Sequence, residues 1–352
     1  MITFLASYPS EKDEKDGMMQ RILNVDELFK NHSRLYVDVG IWRNWKKRQK
    51  ILSDNLIVYK MNLFLHTWLI VKLLKQSSVI YVHSIYNVRP LLLLLFFFKN
   101  KRNIYLDVHG VVPEESLLVG RKTAYCIHNI VEYFAFRLIF GAIYVTDAMK
   151  KHYDSKYPWS SKMPYIVYNI YPNFVTNFNV SEHVETNKTV VIYSGNCQKW
   201  QNIDLMLETI KNNKHGLLEY IILTGEPTVI TKKIGEFGID ENLWNISVLS
   251  VKPLDLPQYY SKAHYGFILR DDIVVNQVAN PTKMLEYLSF GIIPIVKSPR
   301  IGDFLHYGYE YLLYTDFKTE LNPQKSSRNV EIAKEIMRSK VDLEAFVLNK
   351  KK

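Results

Sequence analysis

The densest chemistry in the sequence lies between Phe267 and Val296, where Arg270, Lys283 and Glu286 stand around one proline-led helix. The pattern predicts a strand ending at Leu269, a loop carrying Arg270, and a helix opening at Asn280-Pro281. Asparagine would serve as N-cap and proline as the first helical residue. The free N–H groups and the dipole of such a helix start, where Asn280 and Thr282 stand, favour an anion such as a diphosphate. Lys283, in the first turn, adds a full positive charge. Glu286 follows three residues on, where a carboxylate can accept two hydrogen bonds from a ribose diol. Gly291 ends the helix, and Ile293-Pro-Ile-Val296 starts the next strand. The same spacing also suits an exposed i,i+3 Lys–Glu pair, as many helices carry.

These residues need a scaffold, and the rest of the chain supplies an alternating one. Short β-branched or aromatic runs alternate with amphipathic stretches, the pattern of α/β domains with parallel sheets. The first half predicts strands at 2–6, 35–39, 79–83, 104–108 and 142–146, with helices at 18–31, 62–76, 89–99 and 123–140. The apolar run Leu91 to Phe98, headed by Pro90, reads as a helix on a sheet or as a buried strand. From Asn173 to Lys188 the stretch is polar and without period, and reads as a linker. The rhythm then restarts, with strands at 190–194, 220–224, 246–249, 266–269 and 293–296 and helices at 203–212, 256–262 and 281–290. Short helices near 329–338 and 342–348 close the chain. The economical reading is α/β: two Rossmann-like, doubly wound domains facing each other across a cleft, with ligands outside the carboxyl ends of the strands. Domains are expected at 1–175, on the acceptor side, and at 188–328, binding the nucleotide, with a helical tail at 329–352.

Composition narrows the class. With 352 residues, 47% hydrophobic and 23% charged, the chain suits two globular domains. Cys126 and Cys197 have no CxxC or histidine-rich surroundings, which fits a reducing cytosol better than a disulfide framework or a zinc site. No stretch has signal-peptide character, and the longest apolar run falls well short of a bilayer span, so a soluble or peripheral protein is expected. The net charge of +10 is lopsided: residues 1–176 hold 24 Lys and Arg against 14 Asp and Glu, and the rest hold 21 of each. Much of the excess lies in Arg43 to Lys50 and Lys99 to Arg102. Such clusters suit solvated loops or an anionic membrane face, the latter helped by Trp42 and Trp45. Nucleic acid is the weakest partner, since no helix-turn-helix, zinc or RNA-binding signature occurs. There is also no G-x-G-x-x-G after the first strand, no P-loop and no G-x-S-x-G elbow, against nucleotide redox cofactors, P-loop hydrolysis and serine hydrolysis.

The stretch from Pro281 onward resembles the donor-binding signature of group 1 (family 4) glycosyltransferases of the GT-B fold, roughly P-x-K-x-x-E-Y/A-x-x-x-G-x-P-V. Pro281, Lys283, Glu286, Tyr287, Gly291, Pro294 and Val296 carry it, with one extra residue before Pro294 and another before Val296. Tyr193-Ser-Gly195 with Lys199 to Asp204, Leu223-Thr-Gly225, Tyr259 to Ala263, Leu106-Asp-Val-His-Gly110 and Asp16-Gly17 resemble further family elements in the family's order. The resemblance implies a metal-independent transfer from a nucleotide-diphosphate sugar, with no cofactor, to a glycan or undecaprenyl-diphosphate-linked acceptor. It implies bacterial capsule, O-antigen or exopolysaccharide assembly on the inner face of the cell membrane. Glu286 would hold the ribose hydroxyls; Arg270, Lys283 and Lys199 would neutralise the diphosphate. The Gly17 backbone would approach the phosphates, Gly195 would lie at the donor site, and His109 would contact the donor sugar or shape the transfer site.

One departure bears on mechanism. Where the retaining pattern has a glutamate eight positions before Glu286 this chain has Val278, and Asn276 to Asn280 replaces the usual glycine-rich donor-sugar loop. An inverting route would need a general base, for which Asp16, Asp107, Glu114 and Glu115 are candidates. A nucleotide-sugar epimerase of the same fold and a non-catalytic nucleotide-sugar-binding scaffold are the alternatives. No D-x-D triplet occurs, which argues against a metal-dependent single-domain transferase.

Overall fold

The computed structural model describes residues 1–10, 17–98, 104–171, 188–214, 216–318, 320–339 and 341–348. Asp16, the linker from 173 to 187 and the basic residues Lys99, Lys101 and Arg102 fall outside them. The chain divides into two units, Met1–Ile170 with Val341–Lys352, and Tyr171–Lys340.

In the first unit the apolar runs become β1 (Ile2–Leu5), β2 (Arg34–Gly40), β3 (Arg48–Ser53), β4 (Leu56–Asn62), β5 (Val79–His83), β6 (Ile104–Val108), β7 (Gly141–Tyr144) and β8 (Tyr165–Val167). They form one sheet ordered β3-β4-β2-β1-β5-β6-β7-β8, parallel except for the β3–β4 hairpin. Every residue of β1, β2, β5 and β6 is buried, which is why these strands read as continuous apolar runs. Chain order reverses between β1 and β5, so the carboxyl ends of these strands and of neighbouring β6 flank the switch point.

Three strands of this sheet have no strong sequence signal. β3 is exposed at every residue, so it has no apolar face to read, and β4 ends at Asn62, where the sequence reads as the start of a helix that in fact begins at Thr67. β8 is short. The run Leu91 to Phe98 is a helix: a 3₁₀ turn at Arg89–Leu91 leads into Leu92–Phe96, with Leu91, Leu95 and Phe98 inward and Leu93 and Phe97 outward.

The second unit holds β9 (Thr189–Ser194), β10 (Leu218–Leu223), β11 (Ile246–Leu249), β12 (Tyr265–Ile268), β13 (Ile293–Val296) and β14 (Leu312–Leu313). Its sheet is wholly parallel, ordered β11-β10-β9-β12-β13-β14, with the switch point between β9 and β12. Apolar side chains cover both faces.

The C-terminal stretch is not a separate tail. Helix Ser327–Arg338 belongs to the second unit, burying Val330, Ile332, Ala333 and Ile336 beside helix Thr282–Ser289. Helix Leu343–Leu348 returns to the first unit, burying Leu343 and Val347 in its core. Among the described residues, no helix is long and apolar enough to cross a membrane.

Candidate functional site

The second unit gathers Arg270, Lys283, Glu286 and Gly195 at the carboxyl ends of β9 and β12, beside its switch point. Arg270 stands two residues past the end of β12, and helix Thr282–Ser289 carries Lys283 and Glu286. What seats this helix is its neighbour Tyr287. A Cβ on Gly266 in β12 would come within 2.3 Å of the Tyr287 ring, so the glycine makes room for it. The Tyr287 hydroxyl then accepts a 3.0 Å hydrogen bond from the Ser194 N–H at the end of β9. The helix closes at Gly291 (φ 67°), with Ile292 N–H on the Tyr287 carbonyl and Gly291 N–H on that of Leu288.

The helix start differs from expectation by one residue. Pro281 is the N-cap, with extended backbone (ψ 121°), and Thr282 is the first helical residue. Asn280 therefore stands one position before the cap, and the cap itself offers no side-chain oxygen.

Lys283 leans across the end of β9. Its Nζ lies 4.2 Å from the centre of the Tyr193 ring and donates to Gln201 Oε1 at 3.4 Å. A Cβ on Gly195, whose φ is 154°, would stand 2.5 Å from that Nζ, so a side chain there would displace the lysine tip from its present place. Burial, with the charge of Arg270, lowers the Lys283 amino group to about 7, against the pull of Glu286. Burial also lowers Arg270 to about 10, and its Nε is buried without a hydrogen-bond partner. Among the described residues, neither cation closes a salt bridge. The surface Lys–Glu pair allowed by the spacing is thus not formed.

Glu286 is buried, and burial raises its carboxyl against the opposing effects of Tyr260 and Lys283. Tyr260 donates to Glu286 Oε2 at 2.7 Å, and its hydroxyl also meets Ser194 Oγ at 2.7 Å. This chain of hydroxyls fixes one carboxylate oxygen and leaves the other for a ligand. Asn202, in the left-handed region at φ 51°, ties the neighbouring turn to β12 through a 2.7 Å bond to the Leu269 carbonyl. Lys199 is exposed at the start of that turn. Val278 is buried at 4% exposure, so the position of the family's glutamate holds an apolar core residue.

The first unit has a second cluster. Asp107, at the end of β6, is fully buried and takes a bidentate bond from Arg21, with Nε 3.0 Å from both oxygens and Nη2 2.7 Å from Oδ1. Tyr81 donates to Oδ2 at 2.9 Å, while His83 Nδ1 lies 3.2 Å and His109 Nε2 3.7 Å from the same oxygen. Burial alone would raise the Asp107 carboxyl, but Arg21, with the two histidines, holds it far below the usual carboxylate range. Burial lowers His109 to about 3, outweighing Asp107, so its ring is neutral near pH ~7. His83 is lowered as well, again by burial. The ligand atoms of His83, Asp107 and His109 lie within 4.8 Å of one another, as a metal site requires. The guanidinium on both carboxylate oxygens opposes a cation there, so the cluster is better balanced without one.

The base candidates separate. Asp107 is too strongly ion-paired to be basic, and Glu114 pairs with Lys156 at 2.8 Å. Burial raises Glu115. Gly17 opens the helix Gly17–Leu28, and Asp16 lies outside the described residues. Arg21, Tyr81 and His83 in the first unit carry no sequence signal, and Tyr193, Gln201 and Tyr260 in the second lie in stretches that resemble family elements but have no role of their own in that resemblance. They reach their partners only through the folded sheets.

No family model matches the sequence, and no curated protein does. Solved structures share its fold. One, described as trehalose-6-phosphate from E. coli bound with UDP-2-fluoro glucose, has 10% identity and a TM-score of 0.66 over 99% of each chain. Anabaena HepE in complex with UDP-glucose has 12% identity and a TM-score of 0.59 over 99% of this chain and 92% of that one. The lipopolysaccharide outer core galactosyltransferase WaaB has 15% identity and a TM-score of 0.56 over 85% and 82%. At these identities the likeness is one of fold: the chain has the GT-B fold of glycosyltransferases, built from two α/β units with parallel sheets.

Proposed function

We propose that this protein is a metal-independent glycosyltransferase that takes a sugar from a nucleotide-diphosphate donor, with UDP as the nucleotide. The acceptor hydroxyl attacks the anomeric carbon, the bond from that carbon to the β-phosphate oxygen breaks, and the nucleoside diphosphate leaves. The hydroxyl proton passes to a base or to the departing phosphate oxygen. Negative charge then gathers on the diphosphate, where Arg270 and Lys283 would neutralise it and Glu286 would hold the ribose. The observation that carries this reading is the pair of half-buried cations that form no salt bridge among the described residues, beside a carboxylate fixed through one oxygen. Such cations gain most from an anionic ligand, because burial has weakened both in its absence. The UDP and UDP-glucose in the HepE structures support the choice of nucleotide.

Neutral His109 is assigned to the sugar, where an imidazole can donate or accept a hydrogen bond without adding charge. Further, the acceptor is taken to be a glycan or lipid-linked glycan in bacterial surface-polysaccharide assembly, at the inner face of the cell membrane. The excess positive charge of the first half supports that placement. A non-catalytic nucleotide-sugar-binding protein is the second reading, favoured by the burial of Val278 where a carboxylate would meet the sugar.

Calorimetric titration of a panel of nucleoside diphosphates and nucleotide sugars tests the proposal. Wild type should bind one base, and Glu286→Ala should bind it at least about tenfold more weakly, roughly 1.4 kcal/mol. Binding without transfer to any lipid-linked acceptor would favour the second reading. No binding at all, or equal binding by the variant, would remove the donor site from this cluster.

A further inference from the structure

The first unit exposes a group of large aromatic and aliphatic side chains that its core does not use. Trp42 and Trp68 are 80% and 82% exposed, and Trp45, Phe64 and Leu65 are also exposed. Trp42, Trp45, Phe64 and Leu65 come from two loops at the carboxyl ends of adjacent strands β2 and β4, and Trp68 from the first turn of helix Thr67–Gln76 that follows the second loop. Asn62 clasps these loops together. Its Nδ2 donates to the carbonyls of Ile41 (2.8 Å) and Arg43 (3.1 Å), and its Oδ1 accepts from the N–H groups of Phe64 (3.0 Å) and Leu65 (3.3 Å). Asn62 thus holds the two loops side by side, and helix Thr67–Gln76 carries Trp68 on from the second.

The charge around the patch has one sign. Residues 41–76 contain eight Lys and Arg and a single acidic residue, Asp54. Lys46, Lys47 and Arg48 follow Trp45 directly, and Lys72 and Lys75 share the outer face of helix Thr67–Gln76 with Trp68. Ile70 and Leu74 fix that helix from its buried side. Exposed tryptophans ringed by lysines match the boundary of an anionic bilayer, where indole rings sit at headgroup level and lysines meet lipid phosphates. A second copy suits the patch poorly, since a two-fold contact would bring like charges together.

We propose that the patch of Trp42, Trp45, Phe64, Leu65 and Trp68, with its lysine and arginine rim, docks the protein on an anionic lipid bilayer. The inference deepens the membrane placement proposed above and rests on it, independently of the donor chemistry.

Sedimentation with vesicles of phosphatidylglycerol and phosphatidylcholine, against phosphatidylcholine alone, tests it without nucleotide or acceptor. Each basic residue near such a surface is worth about fivefold in partitioning. Lys46→Gln/Lys47→Gln/Arg48→Gln should therefore lose on the order of a hundredfold in binding to the anionic vesicles, and the triple change to Glu more than that. Bound wild type should show blue-shifted tryptophan emission, and Trp42→Ser/Trp68→Ser should lose both the shift and most of the binding. All five positions are exposed, so the variants should keep the wild-type melting temperature and nucleotide titration. The comparison variant Leu93→Ser/Phe97→Ser, on the helix Leu92–Phe96 and its C-cap, should bind as wild type does. Equal binding to neutral vesicles, indifference to the charge reversals, or loss only in the comparison variant would overturn the proposal. So would a concentration-dependent dimer abolished by Trp42→Ser/Trp68→Ser, which would assign the patch to a second copy. Failure here with nucleotide binding intact would leave the donor site standing.

Discussion

Lys283 should couple nucleotide binding to proton uptake. Its amino group titrates at about 7 in the free protein because burial and Arg270 disfavour the charge. At about pH 8, therefore, roughly one lysine in ten is protonated. A diphosphate beside Nζ favours the ammonium and draws its pKa back toward the ordinary ~10.4. Each binding event at about pH 8 should then take up ~0.9 proton, against ~0.1 at about pH 6. Affinity should fall by about tenfold, or 1.4 kcal/mol, per pH unit above ~7. UDP adds little of its own, since its terminal phosphate, titrating near ~6, is already ionised at about pH 8. Arg270, at about 10, stays charged across this window. Calorimetry in two buffers of different ionisation enthalpy reads the proton count directly, and Lys283→Met should abolish it. The sign for stability is opposite. The folded pKa lies below the ordinary lysine value of 10.5, so the charged lysine costs the empty protein stability below pH ~7, and this cost fades as pH rises toward 10.5. Lys283→Met should thus melt higher than wild type near pH ~6, by roughly 1–2 kcal/mol, a discounted figure because the side chain is partly exposed. Finding no proton uptake at about pH 8, or the same uptake in Lys283→Met, would refute the reasoning.

In the first unit, Arg21→Met should leave Asp107 as an uncompensated buried carboxylate and cost about 3–5 kcal/mol, read as a fall in the urea midpoint. In the wild type the depressed Asp107 contributes stability above its unfolded value of 3.8 and loses it as pH falls through the folded one, so the variant's deficit should narrow in acid. Gly266→Ala should push the Tyr287 ring off β12, cost about 1–3 kcal/mol in stability, and weaken nucleotide binding by moving the adjacent Glu286.

How much of this was legible beforehand depended on the kind of signal. Strand β13 and helix Ile203–Asn212 stand where the apolar pattern puts them, because β13 is buried at every residue and the helix buries a regular apolar stripe. The edge strand β3 has no apolar face and left no trace. Lys283 and Glu286 could be singled out because one helix carries both at fixed spacing. Arg21, His83 and Asp107 could not be joined, since they come from separate strands and helices and meet only at the switch point of the folded sheet. The N-cap shifted from Asn280 to Pro281 because the proline keeps an extended ψ, which propensity alone does not reveal. The division of 329–352 between two units was likewise invisible, since both helices have similar amphipathic patterns and differ only in the core that receives them.

The central claim is that Arg270, Lys283 and Glu286 form the donor-nucleotide site. A crystal structure of the protein with UDP tests it most directly. Diphosphate oxygens should lie within hydrogen-bond distance of Arg270 and Lys283, and a ribose hydroxyl on the Glu286 oxygen that Tyr260 leaves open. A nucleotide bound elsewhere, with these three side chains unchanged, would contradict it.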